Sequence, residues 1–296
     1  MTILFAYPDN EALSEKLVER GNGEAGRFLM RDFPDGETYF RCESDVRGRE
    51  VALVCSLDRP DPKIAPLALA CATFRRLGAI KVGLIAPYLA YLRQDREFHA
   101  GEAISAPIIA GLLSSMVDWI ATVDPHLHRI SNLDQIFSVP ALVASAGESL
   151  GEWIGTNVEN PFIIGPDAES EQWVISVARA AGAPSKVLRK EREGDRRVRI
   201  TVPDFSIWGD RTPVLIDDVV STGQTLLEVV KQLPERGMSR PAVCTVVHGV
   251  FSGDACERLE ASGLTVVTTN TIAHRTNRVD VTDCLLEKLR LDRTRS

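Results

Sequence analysis

The sequence predicts an α/β protein of two domains, each a mostly parallel sheet flanked by helices. Three observations lead there. Short apolar runs alternate with longer amphipathic ones almost throughout the 296 residues. Those short runs are largely apolar without polar alternation, as strands covered on both faces are. The chain is also long enough for one large or two ordinary domains with real cores.

Taken in order, the expected strands are ILFAY (3–7), VALVCSL (51–57), KVGLIAP (81–87), WIATVD (119–124), PFIIG (161–165), PVLIDD (213–218), AVCTVVHG (242–249) and LTVVTT (264–269). Helical patterns lie between them at 64–77, 104–116, 168–181, 224–233 and 254–261. A boundary is expected near 140–150, around VPALVASAGES, giving an N-terminal domain of 1–144 and a C-terminal domain of 145–296.

A hydrophobic content of 44% and a charged content of 25% are those of a soluble globular protein. The longest apolar stretches fall far short of the ~20 residues that span a bilayer. The start, MTILFAYPDN, has neither a basic flank nor a long apolar region, so no signal peptide is expected. A net charge of −7 argues against a surface that wraps nucleic acid. Cys42, Cys55, Cys71, Cys244, Cys256 and Cys284 form no Cys-x-x-Cys pair. They read as reduced, mostly buried thiols of a cytoplasmic protein.

In parallel sheets the ligand crevice lies at the carboxyl ends of the strands. Four strand ends carry unusual chemistry: YLAYLRQDREFHAGEAIS after 81–87, DPHLH after 119–124, PDAESEQW after 161–165 and VVSTGQT after 213–218. Neither G-x-x-x-x-G-K-[ST] nor G-x-G-x-x-G is present. In VLIDDVVSTGQTL (214–226), two carboxylates at a buried strand end make sense facing hydroxyls or a cation. The small residues after them expose backbone amides at a helix start, where a phosphate fits. A strand, a turn and a helix capped by Ser or Thr fit the same spacing. Arg93 and Arg96 place two guanidiniums in one loop, suited to phosphate oxygens or to a surface ion-pair network. The basic run LRKEREGDRRVRITV (188–202) reads, taken alone, as a solvated hairpin.

The stretch 214–226 resembles the phosphoribosyl-pyrophosphate (PRPP) motif shared by type I phosphoribosyltransferases and PRPP synthetases. That resemblance implies that Asp217 and Asp218 hold ribose hydroxyls and that Ser221, Thr222, Gly223, Gln224 and Thr225 grip the 5-phosphate. Familiar synthetases carry an acid at the place of Ser221, whereas transferases and some archaeal-type synthetases have the Ser-Thr-Gly form. Further blocks resemble the ribose-phosphate pyrophosphokinases. RDFPDGETYFRCESDVRGREV (31–51) carries "FPDGE" and "VRG", and 86–113 is similar to "PYxxYxRQDR…GExIS". TVDPHLHRI (122–130) resembles "TxDLHxxQI", and 246–255 resembles "THGxxSGxA".

The family resemblance implies two phosphoribosyltransferase-type domains, with ATP on the N-terminal side and ribose 5-phosphate on the C-terminal side. It implies ATP contacts from Phe33, Asp35, Glu37, Arg93, Gln94, Asp95 and Arg96, with the adenine held from a neighbouring subunit of a dimer or hexamer. Magnesium would be bound by His126 and Asp167, and Lys190 and Arg192 would lie on a flexible loop that closes over the reacting phosphates. The implied reaction gives PRPP and AMP from ATP and ribose 5-phosphate. Two departures stand out: PDAESEQW replaces a glycine-rich or basic segment, and DPH replaces "DLH". The two glutamates of PDAESEQW also suit the first turn of a helix. A catalytically silent partner subunit and a phosphoribosyltransferase remain as alternatives.

Overall fold

The computed structural model describes residues 1–127, 129–166, 171–193 and 197–293. The chain divides into two compact units. In the first, β1 (Ile3–Ala6), α1 (Glu11–Gly21) and β2 (Glu24–Ala25) precede a hairpin of β3 (Phe28–Asp32) and β4 (Thr38–Cys42). Then come β5 (Glu50–Val54), α2 (Asp61–Arg76), β6 (Lys81–Ile85), α3 (Ser105–Met116), β7 (Trp119–Val123) and β8 (Ala141–Ala144). The second unit runs through α4 (Gly147–Asn157), β9 (Pro161–Gly165), α5 (Glu171–Ala181) and β10 (Ser185–Val187) to an antiparallel ribbon. The ribbon is β11 (Arg189–Glu193) with β12 (Arg197–Thr201). Then follow β13 (Thr212–Val220), α6 (Gln224–Gln232), β14 (Val243–Gly249), α7 (Ala255–Ala261), β15 (Thr265–Thr269) and β16 (Asn277–Val279). The last helix, α8 (Thr282–Arg293), and residues 271–273 belong with the first unit, where α8 packs on β7, β8 and α1. A linear split of the chain does not capture that return.

The two units share one topology. Their sheets run β2-β1-β5-β6-β7-β8 and β10-β9-β13-β14-β15-β16. Both are parallel throughout. Each unit also inserts one antiparallel pair between its second and third sheet strands. The eight strands expected from apolar runs all form, because burial on both faces demands such runs. Several elements escape that test. Helix α1 buries only Leu13, Ser14 and Leu17, a stripe too narrow to stand out among its charges. Strand β8 lies within the stretch expected to hold the domain boundary, and its first three residues are only half-buried.

Aromatic rings fill both cores. In the first unit Phe74 stacks on Phe5 at 4.5 Å and meets the edge of Phe40 at 5.7 Å. In the second, Phe162 stacks on Trp208 at 5.2 Å. Gly83 is needed for close approach: a Cβ there would lie 2.1 Å from the ring of Trp119, its neighbour on β7. No helix among the described residues is long and apolar enough to cross a membrane.

Asp118 ties three elements of the first unit together. Its Oδ2 accepts from the Val82 amide at 2.7 Å and from Arg75 Nη1 at 2.8 Å. Burial pushes this carboxyl up, but the Arg75 guanidinium and the Val82 amide outweigh burial and hold it below its ordinary value. A depressed carboxyl stabilises the fold above its unfolded value of about 3.9 and loses that contribution as pH falls through the lower folded value. Asp118→Asn is therefore expected to cost about 1 kcal/mol at pH 7, since the site is over a third exposed and partly screened. Paired thermal melts should show the gap to the unmodified chain closing as pH falls below the ordinary carboxylate range.

Candidate active site

The strand order of the second unit reverses between β9 and β13, since the chain leaves β9 for β10 on one side and returns as β13 on the other. Such a switch opens a crevice at the carboxyl ends of the two strands. The pairing of β13 with β9 stops at Leu215, while its pairing with β14 continues to Val220. Asp217 and Asp218 occupy this one-sided stretch and are half-buried. The strand thus runs two residues beyond the end expected at Asp218. Adjacent strand positions point to opposite faces, which separates the two charges. Each carboxylate also accepts the next backbone amide, Asp218 N–H at 3.0 Å and Val219 N–H at 2.8 Å.

Beyond Val220 the loop reaches α6 through Gly223, whose φ of 68° lies in the left-handed region. Gly223 is the N-cap of α6 and supplies no side-chain hydrogen bond, so the helix is not capped by Ser or Thr. Its first amides and its positive dipole end are suited to an anion. The loop is braced from α7 and the residues before it. Ser221 Oγ lies 2.8 Å from Ser252 Oγ, the Ser252 amide donates to the Ser221 carbonyl at 2.9 Å, and Arg258 Nη2 donates to the Thr222 carbonyl at 3.1 Å. Sequence reading missed Ser252 and Arg258 as supports, although Ser252 sits in the "SG" of 246–255.

In the first unit the corresponding switch lies between β1 and β5, and side chains from Asn10 and Lys63 hydrogen-bond to the segment after β5. Asn10 Oδ1 accepts the Ser56 amide at 2.9 Å, and Lys63 Nζ donates to the Ser56 carbonyl and to Asp58 Oδ1, both at 2.7 Å. The candidate residues come instead from the ends of β6 and β7. Arg93 and Arg96 are exposed, with the Arg96 guanidinium 4.9 Å from the Phe98 ring centre. The Gln94 carbonyl accepts from the Ala106 amide at 3.2 Å, anchoring the loop to α3. The side chain of Asp95, expected as a nucleotide contact, is 2% exposed, and both oxygens receive donors from Arg129. Burial pushes the Asp95 carboxyl up, but the Arg129 amide and guanidinium outweigh that and hold it low.

Past β7, Asp124 has a φ of 33°, uncommon for a residue with a Cβ, and half-buried His126 follows two positions later. Tyr91 (φ 66°) before Arg93 and Phe251 (φ 31°) before Ser252 share this conformation. Backbone held this way concentrates at functional loops. The FPDGE segment forms the tip of the β3–β4 hairpin, where Gly36 N–H donates to the Phe33 carbonyl at 2.9 Å and Glu37 N–H to Asp35 Oδ1 at 3.2 Å. Phe33 is partly exposed, and the Arg31 guanidinium lies 4.8 Å from its ring centre.

Lys190 pairs in register with Ile200 and Arg192 with Val198, so positions 190 and 192 fall on one face of the ribbon. Asp167, like Glu169 of the same segment, lies outside the described residues; Glu171 stands in the first turn of α5, where it favours the helix dipole. No group of three His, Cys, Asp or Glu placed to hold a metal occurs among the described residues.

Comparisons with known proteins cover nearly the whole chain. Residues 2–116 match the family model described as the N-terminal domain of ribose phosphate pyrophosphokinase, and 132–282 match the phosphoribosyl transferase domain. A ribose-phosphate pyrophosphokinase of Saccharolobus solfataricus is 35% identical over 81% of this chain and 82% of its own length. One from Methanopyrus kandleri is 33% identical over 94% of this chain and 95% of its own. The crystal structure of a phosphoribosylpyrophosphate synthetase from Mycobacterium smegmatis superposes with a TM-score of 0.83 at 24% identity, covering 100% of this chain and 99% of that one.

Proposed function

This chain belongs to the ribose-phosphate pyrophosphokinase family, and we propose that it transfers the pyrophosphoryl group of ATP to the 1-hydroxyl of ribose 5-phosphate, giving PRPP and AMP. The observation that carries this is the 217–225 segment at the β9/β13 switch: two carboxylates, then an uncapped helix start that suits a phosphate. In the reaction the sugar oxygen attacks the β-phosphorus, the bond from that phosphorus to the α-phosphate oxygen breaks, and AMP leaves. Asp217 and Asp218 accept hydrogen bonds from the ribose hydroxyls, while the amides and hydroxyls of Ser221 to Thr225 hold the 5-phosphate. Arg93 and Arg96 bind the polyphosphate of ATP, with Gln94 shaping their loop. Lys190 and Arg192 neutralise charge on the moving group. Positioning and charge neutralisation are the main demands of phosphoryl-type transfer, so a dedicated general base is not required.

His126 and Asp167 are the residues that would hold magnesium, which supplies charge neutralisation across the triphosphate. The Asp167 carboxylate suits that ion, which keeps several waters and takes one or two carboxylates beside substrate phosphates, and His126 would reach it directly or through one of those waters. The hairpin tip with Phe33, Asp35 and Glu37 is exposed, which supports its reaching the adenine of a neighbouring subunit in a homo-oligomer. Six free thiols suit the reducing cytoplasm.

Gly223→Ala tests the phosphate loop. A Cβ at a φ of 68° costs about 1–2 kcal/mol, and it would also sit 3.0 Å from Leu259 Cδ1. The KM for ribose 5-phosphate is expected to rise about tenfold while that for ATP stays within a factor of about two. For the function itself, the purified chain given magnesium, ATP and ribose 5-phosphate should form AMP in step with PRPP. Formation of ADP, or no AMP beside an active control enzyme, would overturn the proposal.

A further inference from the structure

We infer that Arg129 is a third guanidinium for the ATP polyphosphate, and that Asp95 is a positioning residue that aims it. This rests on the proposed function, since it takes the loop after β6 to be the nucleotide side of the site.

The pair is asymmetric. The Asp95 side chain is 2% exposed, whereas that of Arg129 is 54% exposed. The Arg129 amide donates to Asp95 Oδ2 at 3.0 Å, and Arg129 Nη1 donates to Oδ1 at 3.1 Å. A buried carboxylate that receives separate donors from one residue fixes both the backbone and the side chain of that residue. A guanidinium carries five N–H donors. One is spent on Asp95, and the half-exposed remainder presents charge and donors outward.

The location follows from the contacts. Asp95 lies between Arg93 and Arg96, so the hydrogen bonds bring Arg129 to that loop from a position 34 residues away. His126 stands three positions before Arg129 on the segment past β7. Arg129 is thus joined through Asp95 to the loop that carries Arg93 and Arg96, in a chain whose net charge is −7. Arginine forks suit phosphate oxygens better than lysine because they offer paired donors. An ordinary exposed ion pair leaves both partners wet and contributes little. Here the acid alone is buried, which is the arrangement of a support and not of a surface pair. The segment also departs in sequence: the "TxDLHxxQI" pattern has glutamine where this chain has Arg129. Glutamine at 129 keeps the backbone donor to Asp95 and removes the guanidinium with its charge, which makes it the informative substitution.

The test reads binding without turnover. Calorimetry with magnesium and α,β-methylene-ATP, which carries no cleavable bridge at the reacting position, should show about tenfold weaker binding to Arg129→Gln, the loss of one charge-assisted contact. AMP, which lacks the outer phosphates, should bind both chains within a factor of about two. Arg129→Lys should fall between them, because it restores charge without the fork. Asp95→Asn should weaken the analogue as well, and the double variant should be no weaker than Arg129→Gln alone, because the two residues act as one unit. Unchanged analogue binding by Arg129→Gln overturns the inference. So does an equal loss for AMP, which would mark a general disturbance of the loop. A chain that makes PRPP but fails this test loses the inference alone, whereas a chain that makes no PRPP loses the function on which it rests.

Discussion

Lys190→Ala is expected to lower kcat about a thousandfold, with the KM of either substrate changing by no more than about threefold. Moving a pyrophosphoryl group redistributes charge over its oxygens in the transition state. A cation that meets that charge only there acts on kcat and leaves ground-state binding nearly untouched. Positions 190 and 192 lie on one face of the β11–β12 ribbon, so a Lys190→Ala, Arg192→Ala double variant should lose less than the product of the single losses. Steady-state kinetics on the three variants measures this. A large rise in the KM for ATP at unchanged kcat would instead assign Lys190 to substrate binding.

Asp217→Asn and Asp218→Asn are expected to reduce kcat/KM for ribose 5-phosphate by about 10- to 100-fold each, the range for losing a charged hydrogen-bond acceptor. The substitutions preserve side-chain volume. The accepting oxygen for the next amide, seen at 3.0 Å from Asp217 and 2.8 Å from Asp218, also survives in an amide side chain. Fold and loop should therefore persist, and binding of the ATP analogue should be unchanged. Near-normal kinetics in both variants would remove the ribose from this end of β13.

The fold was legible where burial dictates composition. Strands such as 119–123 and 161–165 are buried along nearly their whole length and almost wholly apolar, with Thr122 the one hydroxyl, so their runs announce them. Strand order is not written in such runs, and with it the crevice between β9 and β13 stayed hidden until pairing was known. Nor does periodicity reveal that α8, at the far end of the chain, packs with the first unit, because its partners lie far away in sequence. At the site, linear motifs carried the reading of 217–225, 93–96 and 190–192. Two of their consequences needed coordinates. Asp95 reads as a ligand contact among arginines, its acid packs against Arg129, and that distant partner left no local signal. Ser221 stands where familiar synthetases have an acid, and the structure gives its hydroxyl a partner in Ser252 at 2.8 Å.

The most direct measurement is phosphorus NMR of the purified chain with magnesium, ATP and ribose 5-phosphate. The account predicts that the ATP signals decline while AMP and a diphosphate ester at the sugar 1-position grow in equal amounts. Growth of ADP with a sugar monophosphate, or consumption of added PRPP with a free base and no AMP-forming step, would contradict it.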